Sequence, residues 1–390
     1  MFLNLRDIEP FTFKYGRKNA LIKKAGTKVK LLQANRHWMK KEDVAAVEAD
    51  PAKLNEILEK YRKSDKEFVA SLQKKIAAYR KMTNVQIDAE TENDILFSAL
   101  AYGFMPDEYY CYRLKEKSFA ERKEYVSERE RIILFYHVND IVNMQYARNK
   151  QLTYEYFKEY YKRDALEIRS ENDRKAFMDF TDKYPVFVQK NIRKNCGQGV
   201  KKINIDEVGC TKDEYFSKLI TEDCYLLEEP ISQDVLSMFN ESSVNTVRCI
   251  TCIRDGKVRI LYCFIRTGSN GSFIDNGAAG GGRAGIHTES GMIETDAMTE
   301  FGEIVKEHPD SHTVYKGFQM PDWQGLRSLA TELALKLPNV RCVGWDLAYT
   351  KKGWCLVEAN GRPQLIGPQQ LYNRGIKAEL LDALNITDLF

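Results

Sequence analysis

Near the C-terminal end of the sequence, three oxygen-bearing side chains, Asp346, Glu358 and Asn360, have the spacing of a divalent-cation site. The runs RCVGWDLAYT and GWCLVEAN flank Lys351 and Lys352 and read as a β-hairpin. A three-residue turn closed by a left-handed Gly353 pairs Thr350 with Trp354 and sets Asp346 opposite Glu358. Asn360 points to the same side because strand side chains alternate. Two like charges directly opposed destabilise a sheet unless something neutralises them. Mg²⁺ does so, accepting carboxylate and amide oxygens while leaving positions for phosphate and water. A carboxylate pair separated by solvent, or sharing Lys351, fits the same pattern.

A second hairpin, VNTVRCITCI and KVRILYCFI around Asp255-Gly256, places Arg266 opposite Asn245 in its simplest register. Arg266 suits the stabilisation of charge moving onto a transferred phosphoryl group. Arg248 falls on the other face of that register and joins Arg266 as a catalytic candidate through a bulge. Lys190 ends the strand VFVQK and precedes the loop NIRKNCGQGV. One cation and several backbone N–H groups there could close over a nucleotide's phosphates. Neither G-x-x-x-x-G-K-[ST] nor a G-x-G-x-x-G after a strand occurs, which excludes Walker and Rossmann sites. The five histidines form no motif, and Cys249 and Cys252, three apart in a strand, face opposite sides.

The elements that must position these residues change in character along the chain. Asp50-Pro51 caps a helix carrying Leu54, Ile57, Leu58 and Tyr61, and Ser118 with Glu121 forms a capping box that opens a helix through ERKEYVSERERIILF. Between them, the tyrosine cluster of residues 101–114 reads as a packing seam. From about Asn149 strands dominate. Helices first, then hairpins with a few helices, is an α+β order.

Composition bounds the rest. A 390-residue chain with 43% hydrophobic and 29% charged residues is globular and long enough for two or three domains. Its net charge of +3, from 59 basic and 56 acidic residues, argues against a nucleic-acid partner. Nine cysteines in a chain this long point to a reducing cytosol rather than a disulfide scaffold. No apolar run of about 18 residues predicts a transmembrane span. Residues 1–40 are strongly basic; they could touch an anionic membrane surface or a negatively charged partner, and a solvated face is the plainer reading.

Lysines at 150 and 190, a small glycine loop, the segment YLLEEPI and a terminal D…E-x-N resemble the ATP-grasp superfamily in order and spacing. The motifs YGFMPDEYYCY, SVNTVR, FIDNGAAGGG and EANGRPQLIGPQQ are most similar to its sugar-transfer-associated family, over residues 95–375. That resemblance implies two α+β subdomains with ATP between antiparallel sheets, preceded by a mainly helical domain. The expected boundaries are 1–142 for the helical domain, 143–225 for the first ATP-grasp subdomain and 226–390 for the second. It also implies that Lys150 and Lys190 hold the nucleotide and that Gly197 and Gly199 belong to its mobile loop. In YLLEEPI, Glu228 would read adenine with its side chain, and Glu229 and Ile231 with their backbone. Asp234 would bind ribose, and Asp346, Glu358 and Asn360 Mg²⁺. Arg266 and Asn276, with the run Gly280–Gly282, look like the reacting-phosphate arginine, acceptor-pocket asparagine and glycine pair of ribosomal-protein-type glutamate ligases. His287 stands where that pattern has an aspartate. The implied activity is ATP- and Mg²⁺-dependent ligation through an acyl phosphate, joining an amino acid or similar acid to an amine or hydroxyl acceptor, with a sugar in polysaccharide assembly as the acceptor it suggests. A kinase on the same fold and a non-catalytic ATP-binding partner of a glycosyltransferase complex are the alternatives.

Overall fold

The computed structural model describes residues 17–192, 199–222, 225–233, 235–269, 271, 282–299, 302–387 and 389. The chain divides into two compact units, residues 1–142 with 364–390, and residues 143–363.

The first unit is helical: α1 (Arg17–Ala34), α2 (Lys41–Ala49), α3 (Leu54–Ser64), α4 (Lys66–Thr83), α5 (Ala89–Ala101), α6 (Pro106–Cys111), α7 (Phe119–Glu124) and α8 (Glu128–Val138). Asp50 accepts a hydrogen bond from the Ala52 N–H and caps the 3-10 turn ahead of α3. Leu58, Leu72, Ile76, Phe97 and Leu100 form a buried core with Tyr102, Tyr109 and Tyr112, so the tyrosine cluster is a packing seam. The helix expected from Ser118 through Phe135 is two helices. Ser118 and Glu121 do form a capping box, but α7 stops at Glu124, and a second reciprocal pair, Ser127 and Glu130, restarts the chain as α8.

The second unit contains α9 (Lys150–Tyr156), α10 (Lys158–Tyr161), β1 (Ala165–Ile168), α11 (Arg174–Lys183), β2 (Val186–Asn191), β3 (Val200–Asn204), α12 (Lys212–Glu222), β4 (Tyr225–Glu228), β5 (Thr246–Arg254), β6 (Lys257–Thr267), β7 (Gly282–Ile286), β8 (Ala297–Thr299), β9 (Ile304–Val305), α13 (Trp323–Lys336), β10 (Cys342–Thr350) and β11 (Gly353–Asn360). They build two antiparallel sheets, a four-stranded one in the order β1-β4-β2-β3 and a seven-stranded one in the order β11-β10-β5-β6-β7-β8-β9. On the smaller sheet, Phe187, Tyr225 and Leu227 pack with Phe177 and Phe180 of α11 and Phe216 and Leu219 of α12. Alternation then turns Lys190 and Glu228 to the opposite face. On the larger sheet, α13 packs against β5, β6, β10 and β11.

Two boundaries differ from the sequence expectation. β4 pairs with both β1 and β2, so the smaller sheet runs through Glu228 rather than stopping at 225. The closing helices α14 (Ile366–Leu371) and α15 (Lys377–Ala383) belong to the first unit. Gln369 explains this locally: buried, it accepts from the Val126 N–H at 2.7 Å and donates to the Val126 carbonyl at 3.0 Å and the Tyr112 hydroxyl at 2.8 Å. Lys377 adds an ion pair at 2.6 Å to the buried Glu130.

Candidate functional site

The metal-candidate hairpin reaches its expected pairing by an unexpected route. Thr350 lies opposite Gly353, not Trp354, so the turn is one residue tighter than anticipated. An extra residue, Val357, then bulges out between the Leu347–Leu356 and Asp346–Glu358 pairs. The two offsets cancel, and Asp346 faces Glu358 with Gly344 opposite Asn360. Bulges of this kind recur beside active sites because they re-aim side chains.

A second bulge corrects the β5–β6 register. Leu261 is the extra residue, between the pairs Thr251–Ile260 and Ile250–Tyr262. Arg266 therefore faces Thr246 instead of Asn245, which is buried and donates to the carbonyls of Leu236 and Asn240. Arg248 now shares the face of Arg266 and lies directly opposite Asp346 on β10. Gly344 makes room for it: a Cβ there would stand 3.1 Å from Arg248 Cδ and 2.8 Å from Pro363 Cβ.

The resulting contacts treat the two acids of the hairpin differently. Asp346 is buried and accepts from Arg248 Nε, from Arg248 Nη2 at 2.9 Å and from Arg266 Nη1 at 3.2 Å. Burial raises its carboxyl pKa, but the two guanidiniums outweigh that and hold it below the usual carboxylate range. The Asn360 amide donates to Asp346 Oδ2 at 3.5 Å, which leaves the Asn360 carbonyl oxygen as an acceptor. Glu358 is half-buried and, among the described residues, accepts no hydrogen bond and forms no ion pair within 4 Å. Burial and the neighbouring charge of Asp346 push its carboxyl up, against the pull of Lys150, Lys190 and Arg248. A carboxylate left without a donor beside a like charge is what a cation would relieve, so this donor set fits Mg²⁺ through Glu358 and Asn360, with Asp346 partly taken up by arginine. No group of three His, Cys, Asp or Glu residues suited to a metal occurs among the described residues; the set is two acids and an amide.

The smaller sheet contributes a matching cluster. Glu228 is buried, with Oε2 accepting from Arg163 Nη2 at 2.6 Å and Oε1 paired with Lys190 Nζ at 2.7 Å. Burial raises its pKa; Arg163 and Lys190 overcome that and lower it. Arg163 also donates to the Leu356 carbonyl of β11 at 2.7 Å, tying the two sheets together. Its role was not legible in the sequence, where KRD before a short strand carries no motif. Arg283 was missed as well; on β7 it stands directly opposite Arg266.

The remaining sequence candidates are distributed as follows. Lys150 is the first residue of α9, after Asn149, whose side chain caps the helix, and its charge acts on Glu358. Glu229 gives its backbone N–H to the Asp164 carbonyl at 2.9 Å, and its C=O accepts no backbone hydrogen bond among the described residues. The Ile231 N–H has no partner among the described residues. Gly199, at φ +78°, accepts from the Asn191 N–H at 2.9 Å and closes the β2–β3 ladder. Gly197, Asp234, Asn276, Gly280 and Gly281 lie outside the described residues.

Two antiparallel sheets presenting lysines and acids are the frame of an ATP-grasp protein, and sequence comparison agrees. A family model for sugar-transfer-associated ATP-grasp proteins matches residues 131–385, well over half of the chain, and the chain belongs to that family. Similar solved structures include D-alanyl-alanine synthetase A from Vibrio cholerae, at 12% identity and a TM-score of 0.41, covering 62% of this chain and 66% of that one. The ATP-grasp ligase PsnB with a minimal precursor matches at 13% identity and a TM-score of 0.40, over 70% of this chain and 72% of its own. VanG D-Ala:D-Ser ligase from Enterococcus faecalis matches at 15% identity and 0.38, over 62% and 60%. No curated protein matches the sequence.

Proposed function

We propose that the chain is an ATP- and Mg²⁺-dependent carboxylate ligase. The observation that carries this reading is Glu358, a carboxylate without a donor among the described residues, directly opposite Asp346 and under the influence of Lys150 and Lys190. Lys150 and Lys190 would draw in the triphosphate, and Glu228 holds Lys190 in position by its 2.7 Å ion pair. The backbone C=O of Glu229 and N–H of Ile231 would meet the adenine edge, with Asp234 at the ribose; the Glu228 side chain, expected at adenine, is instead taken up by Arg163 and Lys190. Glu358 and Asn360, with Asp346, would hold Mg²⁺, which when bound supplies charge neutralisation at the phosphates.

In the proposed reaction a substrate carboxylate oxygen attacks the terminal phosphorus, ADP leaves and an acyl phosphate forms. An amine or hydroxyl then attacks the acyl carbon and inorganic phosphate departs. Arg266, Arg248 and Arg283 share one face of the larger sheet and would stabilise negative charge on the transferred group. Asn276 would frame the acceptor. The family's association with sugar transfer supports a sugar acceptor and a place in polysaccharide assembly. No side-chain nucleophile is required by this route.

The test is product analysis after incubation with Mg-ATP, pooled amino acids and nucleotide sugars. ADP, free phosphate and a new amide or ester are expected. ADP with a stable phosphate ester would replace the ligase by a kinase, and no ADP release with any mixture would leave a non-catalytic nucleotide-binding protein.

A further inference from the structure

We propose that the outward face of α1 is a docking surface for an anionic lipid bilayer. Contacts of the described residues hold one side of the helix to the rest of the first unit. Lys24 lies 3.6 Å from Asp140, the Ala34 carbonyl accepts from Arg129 of α8 at 3.1 Å, and Thr27 and Leu31 are half-buried on the same side. On the opposite side Leu21, Ile22, Val29 and Leu32 are 45%, 57%, 52% and 64% exposed. At helical periodicity these four and Ala25 fall within an arc of roughly 100°, the width of a core-facing stripe, yet here it faces solvent. Of the eleven exposed large hydrophobic residues among those described, four are on this one helix, so the stripe is not ordinary surface scatter.

Charge selects the occupant. From Pro10 to Lys41 the sequence has ten Lys or Arg residues and no Asp or Glu. Lys28 borders one edge of the stripe, Lys23 lies beyond the other, and both are exposed. A second copy of α1 laid on this face would bring like charges together. An anionic bilayer takes both components at once, the apolar side chains entering the headgroup boundary and the lysines meeting lipid charge. Association should weaken with salt because the charges are solvent-exposed.

The experiment is co-sedimentation of the full chain with phosphatidylcholine vesicles, with and without phosphatidylserine, at low and high salt. Leu21→Glu with Val29→Glu, and Lys23→Gln with Lys28→Gln, alter exposed positions only, and circular dichroism checks that each variant is folded. Binding to the phosphatidylserine vesicles alone is expected, falling about fivefold for each lysine neutralised and lost in the double glutamate variant. Equal partition into both vesicle types, no sedimentation with the anionic ones, or binding unchanged in folded variants would overturn the proposal. So would light scattering that shows a dimer dissociated by the glutamates and no lipid binding, which would assign the stripe to a second copy.

Discussion

The two sheets of the second unit bury their acids in similar company and use them differently. Glu228 on the smaller sheet lies between Arg163 and Lys190, and Asp346 on the larger one between Arg248 and Arg266. Both have pKa values lowered by their cations. Glu358 stands one strand from Asp346 with no such grip, and its pKa is raised. The paired acids fix where cations sit, whereas the unpaired one is available to a ligand. Buried ion pairs contribute little net stability, but removing one partner is costly, so the distinction can be read from stability.

The largest effect is expected for Glu228→Gln and Asp346→Asn, each of which removes a buried carboxylate shared by two half-buried cations. Urea denaturation should show each variant destabilised by about 3–5 kcal/mol. Arg163→Ala should match Glu228→Gln within that range, since it breaks the same pair and the tie to Leu356. Next, Gln369→Leu should cost about 1–3 kcal/mol by orphaning the Val126 N–H and C=O. Hydrogen exchange should place that loss in the helical unit, in contrast to the Glu228 and Asp346 variants. Smallest and opposite in sign, Glu358→Gln should stabilise the Mg²⁺-free protein by up to about 1 kcal/mol, because it removes a like-charge cross-strand pair. If Glu358→Gln destabilised as much as Asp346→Asn, the two acids would not differ in kind.

The pH dependence sharpens the same contrast. Glu228 has a folded pKa below its unfolded one, so its contribution is present above the ordinary carboxylate range of about 4 and is lost as pH falls through the folded value. Acid titration of wild type against Glu228→Gln should therefore show a stability difference that shrinks as the pH is lowered. A difference independent of pH would mean that packing, not charge, holds Glu228.

Much of this was legible in the sequence because it depends on local rules. Capping at Asp50 and Ser118, the strand runs and the alternation that puts Asn360 beside Glu358 need only neighbouring residues. What escaped is nonlocal. No residue pattern announces that Leu261 and Val357 bulge, and one extra residue decides which face a strand presents. The Asp346–Glu358 pairing was anticipated although its turn was not, because the Val357 bulge offsets the tighter Thr350–Gly353 closure. Arg248 lies on the other face of the simple register and reaches the face of Arg266 only through a bulge, which the sequence allows without placing and which the structure has at Leu261. Arg163 acts through Glu228, 65 positions along the chain, and the attachment of residues 364–390 to the first unit runs through Gln369 and Val126. Ring closures of that length leave no trace in periodicity.

The role proposed for Glu358, the open ligand of a Mg²⁺-nucleotide site, can be measured. Isothermal titration of the wild type and of Glu358→Gln with a non-hydrolysable ATP analogue, with and without Mg²⁺, tests it directly. The wild type should bind more tightly when Mg²⁺ is present, and the variant, folded and at least as stable, should lose that dependence while Lys190→Ala weakens binding in both conditions. Equal Mg²⁺-dependent affinity in wild type and Glu358→Gln would contradict the account.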